Sequence, residues 1–220
     1  MTYIDALSKI LKNSKLTEKV SVLDIGTGAT CIYPLLGHAK NNWTFVGTDV
    51  DSNSIISAQR IIDENKLTEA ISLRLQNDAA HILTGVLKAK DKFTISMCNP
   101  PFFKSEGDAD TATQRKLDGL GKQNQSFTRN FSGTSNELWY PGGEKAFLHN
   151  YLYESSLYKT QSFWFTSLVS KKEHAVSMKA SLEKLKATTI KVIDLKKGNK
   201  WSRLVVWTFL TEKEQKEWKS

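Results

Sequence analysis

Short apolar runs alternate along the chain with stretches in which apolar residues recur every three or four positions. The runs are typical of buried strands, and the wider spacing is typical of helices that bury one face. The predicted strands lie at 20–25, 43–47, 71–75, 93–98, 162–169, 189–195 and 203–210. The predicted helices lie at 3–11, 33–39, 52–65, 79–87, 145–158 and 174–186.

The order of these elements predicts the fold. Because helices separate most of the strands, we expect an α/β fold with a mostly parallel sheet and helices on both faces. A short basic loop joins the last two strands, which are therefore predicted to form a C-terminal antiparallel hairpin. The length of 220 residues suits one domain over 1–220 with a full core. Ligands of such sheets bind at the carboxyl ends of the strands.

The segment 104–143 interrupts the alternation. It shows no clear period and is rich in Gly, Ser, Thr, Asn and Gln, with five basic and five acidic residues. A loop of this length in a small domain is commonly functional. We expect either a substrate loop that gates the site or a tolerated insertion, and its charge does not decide between them.

The composition suits an enzyme of the cytoplasm. Hydrophobic residues make up 40% and charged residues 25%, and the chain has no apolar span long enough for a membrane helix. The first residues lack the layout of a signal peptide. The two cysteines and four histidines do not have the spacing of a disulfide framework or a metal site, so we predict no metal.

Positive charge is concentrated toward the end of the chain. The first 144 residues carry 16 Lys or Arg and 16 Asp or Glu, whereas the rest carry 15 and 7, which accounts for the net charge of +8. The loop of the predicted hairpin combines cations with an indole, namely Lys197, Lys200, Trp201 and Arg203. Cations that contact phosphate and a ring that stacks on a base are typical of RNA-binding surfaces. A solvated lysine-rich surface is the alternative, above all for the other lysine clusters.

A Gly-x-Gly turn follows the first predicted strand. Asp24 precedes Gly26 and Gly28, but Cys31 stands where a dinucleotide-binding motif has its third glycine. Asp49 ends the second strand, where an acid can accept both ribose hydroxyls of a nucleoside. An acid suited to an ammonium group beside an acid suited to ribose predicts S-adenosylmethionine as the cofactor. A helix cap or a solvated carboxylate is the alternative for each acid alone.

The most informative stretch is Asn99-Pro100-Pro101-Phe102, directly after the fourth parallel strand. Proline cannot continue a sheet ladder, so the chain must turn there. The Asn99 amide and the Pro100 carbonyl would offer acceptors to a planar amino group, and Phe102 would offer a face for stacking. A plain proline-rich turn is the alternative. Asp78, just after the third strand, is a candidate for the adenine amino group of the cofactor or an ordinary turn acid.

The chain contains six long motifs: LDIGTGATCIYPLLG (23–37), GTDVD (47–51), MCNPPFF (97–103), NELWYPGGEKAF (136–147), WFTSLVSKKE (164–173) and GNKWSRLVVWTF (198–209). In these motifs the chain resembles the bacterial ribosomal RNA large subunit methyltransferase F family. A related eukaryotic group of RNA adenine-N6 methyltransferases shares parts of the first and third motifs.

The resemblance implies a Rossmann-like class I S-adenosylmethionine-dependent methyltransferase that methylates N6 of one adenine in 23S rRNA. It implies cofactor binding by Asp24, Gly26, Gly28 and Asp49. It also implies that residues 99–102 hold the target adenine. Family members usually carry an N-terminal extension before the Tyr-Ile segment, and we expect this chain to lack it.

The expected partner is 23S rRNA or an assembly intermediate of the large subunit. Further candidates for RNA contact are Phe103 next to the proline turn and Arg115, Lys116 and Arg129 in the long loop. Three alternatives stay open at this point: methylation of protein glutamine at N5, methylation of a DNA amino group, and an inactive RNA-binding relative.

Overall fold

A seven-stranded sheet forms the centre of the protein, with the strand order β3-β2-β1-β4-β5-β7-β6. The computed structural model describes residues 2–101, 139–197 and 200–218. The strands are β1 (Ser21–Ile25), β2 (Thr44–Asp49), β3 (Ile71–Leu75), β4 (Phe93–Cys98), β5 (Ser162–Val169), β6 (Thr189–Lys197) and β7 (Lys200–Thr208). The helices are α1 (Tyr3–Asn13), α2 (Ile32–Asn41), α3 (Ser52–Glu64), α4 (Gly143–Leu157), α5 (Lys172–Lys184) and α6 (Glu212–Lys216).

The sheet is mostly parallel, as predicted. The strands β1 to β5 pair in parallel, and only β7 runs antiparallel to its neighbours β5 and β6. Every residue of β4 is buried, which is typical of a central strand that helices cover on both faces. Apolar residues of α1 and α3 pack in a cluster on one face, and those of α4 and α5 pack in a cluster on the other. The predicted α/β fold with its C-terminal antiparallel hairpin is confirmed.

The helix predicted over 79–87 is wrong, because the structure has a series of turns there. The buried Glu154 carboxylate of α4 accepts hydrogen bonds from the backbone N–H groups of residues 82–84, which a helix would need for its own ladder. Gly85 also has a φ of +92°, in the left-handed region that ends regular helices. A long-range side-chain contact therefore overrides the local apolar spacing.

The predicted loop over 104–143 lies outside the described residues up to position 138. The last residues of that stretch, 139–142, lead into α4, which begins at Gly143. Phe102, Phe103, Arg115, Lys116 and Arg129 also lie outside the described residues, as do the side chains of Lys197 and Lys200. In the ranges that the structure describes, no helix is long and apolar enough to cross a membrane.

Candidate active site

A cavity of about 810 Å³ opens at the carboxyl edge of the parallel strands. Its walls come from the ends of β1, β2 and β4, from the turns after β3, and from residues 139–147 at the start of α4. These segments are far apart in sequence and meet because parallel strands place their carboxyl ends at one edge. Gly26, Asp49, Asn99 and Pro101, four of the predicted site residues, line this cavity.

The glycine turn after β1 is shaped by backbone conformation. Gly26 and Gly28 have φ values of +70° and +68°, which glycine adopts without steric cost. A Cβ atom at Gly26 would meet nothing within 4 Å, so the left-handed φ and not the available space requires glycine there. The turn is fixed to β2, because the N–H groups of Gly26 and Thr27 both donate to the Thr48 carbonyl at 2.9 Å.

Asp49 is held in one orientation at the end of β2. The Gly28 N–H donates to its Oδ2 atom at 2.9 Å, and the Asp51 N–H donates to its Oδ1 atom at 3.0 Å. The carboxylate is only 6% exposed, yet Asp49 lines the cavity. A fixed acceptor at this position suits a pair of hydroxyls on a ribose ring.

Asp24 is a buried acid with an unused acceptor. The Thr27 hydroxyl donates to its Oδ2 atom at 2.9 Å, whereas its Oδ1 atom has no hydrogen-bond partner in the described part of the chain. Asp24 is 1% exposed and does not itself line the cavity, although the next residues, Ile25 and Gly26, do. Burial, and then the nearby charge of Asp49, raises the pKa of Asp24 to about 7. An ammonium group is the partner that would best satisfy this carboxylate.

Asn99 and the following prolines form the wall at the end of β4. Asn99 is exposed, Pro100 is buried, and Asn99 and Pro101 line the cavity. The Tyr3 hydroxyl of α1 fixes the residue just before Asn99. It donates to the Cys98 carbonyl (3.3 Å) and accepts from the Cys98 N–H (3.1 Å). No feature of the sequence pattern indicated this role for Tyr3.

The tyrosine belongs to a buried polar chain. Its hydroxyl lies 2.8 Å from the Thr166 hydroxyl, which donates to the Ser96 carbonyl at 2.8 Å. The Ser96 hydroxyl in turn lies 2.9 Å from the Tyr151 hydroxyl of α4. The end of β4 is therefore tied to β5 and to helices on both faces of the sheet.

The turns after β3 present a different side chain from the predicted one. Asp78 accepts a hydrogen bond from the Ala80 N–H at 2.9 Å, its side chain is 63% exposed, and it does not line the cavity. Gln76 lines the cavity instead and is only 6% exposed. Its amide accepts from the Asp78 N–H at 3.1 Å and donates to the Thr84 carbonyl at 2.8 Å.

A second buried carboxylate organises the start of α4. Glu144 is 4% exposed and accepts from the N–H (2.8 Å) and the hydroxyl (2.7 Å) of Ser170. It also makes a short hydrogen bond to the His174 Nδ1 atom. These contacts join the start of α4 to the end of β5, beside the cavity wall formed by residues 139–147. Glu144 lies in one motif of the resemblance and Ser170 in another, which was the available signal for this pair.

The basic hairpin lies at the same edge of the sheet. Arg203 of β7 faces Val169, the last residue of β5, so residues 200–202 of β7 extend beyond the carboxyl end of β5. Trp201 is 56% exposed, and the Lys196 ammonium lies 5.2 Å from its ring centre. Arg203 is partly engaged elsewhere, since its Nε atom lies 3.5 Å from the Asp194 carboxylate across the hairpin.

Among the described residues, no group of three or more His, Cys, Asp or Glu side chains could hold a metal ion.

A protein family described as RNA methyltransferase matches residues 1–211 of this chain. The chain belongs to this RNA methyltransferase family. Curated relatives named ribosomal RNA large subunit methyltransferase F are closely similar. The protein of Flavobacterium johnsoniae is 44% identical over 99% of the chain and 72% of its own length. That of Pseudomonas entomophila is 40% identical over 98% of the chain and 71% of its own length.

Solved structures agree with the fold of this RNA methyltransferase. The catalytic domain of human METTL16 bound to a MAT2A 3′UTR hairpin has a TM-score of 0.74 and 24% identity, over 95% of this chain and 70% of that one. The N-terminal domain of human METTL16 with SAH has a TM-score of 0.69 and 22% identity, over 94% of this chain and 70% of that one. The predicted resemblance and the Rossmann-like fold are confirmed, and the predicted cofactor agrees with the family.

Proposed function

We propose that this RNA methyltransferase transfers a methyl group from S-adenosylmethionine to the N6 amino group of an adenine in 23S rRNA. The observation that carries the proposal is the cavity that brings Asn99 of the proline turn together with the fixed Asp49 carboxylate and the glycine turn after Asp24. The names of the curated relatives support ribosomal RNA as the substrate.

The residues present suit the cofactor. The unpartnered Oδ1 atom of Asp24 is the acceptor for its ammonium group, and Asp49 is the acceptor for its ribose hydroxyls. Because Gly26 has no side chain and the space beside it is open, the cofactor can approach the backbone closely at this position. When bound, S-adenosylmethionine supplies a methyl group on a positively charged sulfur atom.

Asn99 and Pro100 prepare the acceptor. The adenine amino group is a poor nucleophile because its lone pair is delocalised into the ring. The Asn99 side-chain oxygen and the Pro100 carbonyl would accept hydrogen bonds from its two N–H groups and would favour a tetrahedral nitrogen with its lone pair available to the methyl group. The methylated nitrogen would be positively charged and would release one proton to water. Orientation of this kind contributes about 7–11 kcal/mol in well-aligned reactions, so the residues need no strong base. Phe102 remains a sequence-based candidate for stacking on the adenine once the base has left its RNA context.

The basic hairpin favours RNA over protein glutamine as the substrate. Trp201 is exposed beside Lys196, and the hairpin lies at the same sheet edge as Asn99. The strand β7 is two positions from β4, which corresponds to about 10 Å across the sheet. An RNA strand that leaves the cavity therefore reaches a ring for stacking and cations for its phosphates.

Methyl transfer from labelled S-adenosylmethionine tests the proposal directly. The acceptor is 23S rRNA from cells that lack this gene, and nucleoside analysis identifies the product. We expect N6-methyladenosine at a single site. The Asn99→Ala variant is expected to lose at least about 100-fold in turnover, since small misplacements of reacting groups have effects of this size. Its affinity for S-adenosylhomocysteine should stay within about twofold of the parent.

The outcome that contradicts the proposal is equally specific. Normal turnover by Asn99→Ala would show that the proline turn does not hold the acceptor. If the labelled methyl group appeared in peptide glutamine or in DNA but not in 23S rRNA under the same conditions, the acceptor would be a different amino group.

A further inference from the structure

One wall of the cavity is built by turns and not by a regular element. Residues 79–82, directly after Asp78, line the cavity beside the buried Gln76. Along the sheet edge the order of strands is β4, β1, β2, β3. If Asp24 binds the ammonium end at β1 and Asp49 binds the ribose at β2, the purine of the cofactor lies over the turns after β3.

Side chains of the helix α4 fix the turns by hydrogen bonds to their backbone. The Glu154 Oε2 atom accepts from the three successive N–H groups of residues 82–84 at 2.6–3.1 Å. Its Oε1 atom lies 3.0 Å from the Nδ1 atom of His81, which lines the cavity. One helical turn earlier, the Asn150 amide donates to the Ala80 carbonyl at 2.8 Å.

A carboxylate is the side chain that this position requires. Glu154 is 2% exposed, and successive N–H groups that point to one centre form a concave site for an anion. The Ile82 N–H also donates to the Oε1 atom at 3.2 Å, so both oxygen atoms accept from backbone N–H groups. A carboxylate only accepts hydrogen bonds, whereas a glutamine amide would turn its NH2 toward an N–H group in either orientation. Without an acceptor these N–H groups would be unpaired, and the resulting loss of free energy would destabilise this conformation of the turns.

We propose that Glu154, assisted by Asn150, is a positioning residue that fixes the turn at 79–84 as the wall for the purine of the cofactor. The inference rests on the proposed function, because it assumes an adenosine-bearing cofactor. It adds a residue that touches no ligand and acts through the backbone of the turn and through His81.

Affinities for S-adenosylhomocysteine and for adenosine, measured by calorimetry, test this role. If Glu154→Gln lowers the population of the correct turn to about one tenth, both dissociation constants rise by about tenfold, and by the same factor. Backbone amides of residues 82–84 should exchange faster with solvent in the ligand-free variant. Asp24→Asn should weaken only S-adenosylhomocysteine, because adenosine has no ammonium group.

Ser155→Ala is the matched control. Ser155 follows Glu154 on α4, about 100° around the helix axis, is fully buried, and accepts from the Trp207 indole N–H of β7 at 3.0 Å. Its loss is expected to lower the melting temperature and to leave both affinities unchanged. If Glu154→Gln does not fold, Asn150→Ala removes one contact of the same turn and should show the same equal weakening to a smaller degree.

The possible results separate the two proposals. Equal weakening of both ligands by Glu154→Gln, with normal binding by Ser155→Ala, supports the inference. Parental adenosine affinity in Glu154→Gln, or in Asn150→Ala where only that variant folds, overturns it, and so does an equal loss in Ser155→Ala. If the unchanged protein binds neither ligand, the proposed function is overturned together with the inference.

Discussion

Replacing Asp24 by asparagine tests whether the buried carboxylate lowers the stability of the fold and strengthens cofactor binding. The carboxyl group is 1% exposed, and burial followed by the charge of Asp49 raises its pKa from 3.8 to about 7. An acid with a raised pKa holds its proton more tightly in the folded state. The free energy of unfolding therefore falls as the pH rises from about 4 to about 7. Above pH 7 the loss amounts to about 4 kcal/mol.

The asparagine variant lacks this titration, and its expected stability follows from that. Its amide nitrogen replaces the Oδ1 atom and is left as a buried donor without a partner. This lowers the free energy of unfolding by about 1–3 kcal/mol at every pH. The comparison of two pH values removes this constant cost. Between pH 5 and pH 8, Asp24→Asn should gain about 2–3 kcal/mol in unfolding free energy relative to the parent. Urea unfolding without cofactor at the two pH values measures the difference.

Cofactor binding should change in the opposite direction. A neutral amide does not balance an ammonium group, so Asp24→Asn should bind S-adenosylhomocysteine more weakly even where it is the more stable protein. Affinity of the parent should strengthen as the pH rises from 5 to 7 and Asp24 loses its proton. Parallel stability profiles for the two proteins would refute the raised pKa, and unchanged affinity in the variant would refute the role in binding.

Two further substitutions test the acceptor side of the site. Tyr3→Phe removes the hydroxyl that bridges the N–H and carbonyl of Cys98, so turnover should fall by about tenfold or more while S-adenosylhomocysteine affinity is kept. Tyr151→Phe removes the far end of the same polar chain. An equal loss of turnover in that variant would show that the effect of Tyr3→Phe comes from general packing and not from the bond to Cys98. Trp201→Ala should weaken RNA binding by about 1–3 kcal/mol at fixed salt, measured by fluorescence anisotropy. Trp201→Phe should retain most of the RNA affinity of the parent. Equal RNA affinities for the parent and both variants would exclude stacking on Trp201.

The sheet could be predicted because its information is local. Central parallel strands are covered on both faces and appear as continuous apolar runs, and the run at 93–98 coincides with β4. The parallel order then predicts that residues after successive strands meet at one edge. Asp49 and Asn99 are 50 positions apart and line the same cavity for this reason.

The supports of the site could not be predicted, because each depends on a contact distant in sequence. Tyr3 binds the backbone of Cys98, 95 positions away, and Glu154 binds N–H groups 70 to 72 positions away. In the sequence, Tyr3 resembles any aromatic residue on the apolar face of a helix. The predicted helix at 79–87 failed for the same reason, since Glu154 lies outside any local window.

Burial alone does not distinguish Asp24 from the two buried glutamates, but the number of hydrogen bonds that each carboxylate accepts does. Glu154 and Glu144 are 2% and 4% exposed, and both oxygen atoms of each accept hydrogen bonds from the protein. Asp24 is buried as deeply, yet its Oδ1 atom has no partner among the described residues. An unpaired buried acceptor costs folding free energy that a purely structural acid would not impose. The two glutamates are therefore satisfied by folding itself, whereas Asp24 keeps an acceptor for the ammonium group that the proposed function assigns to it.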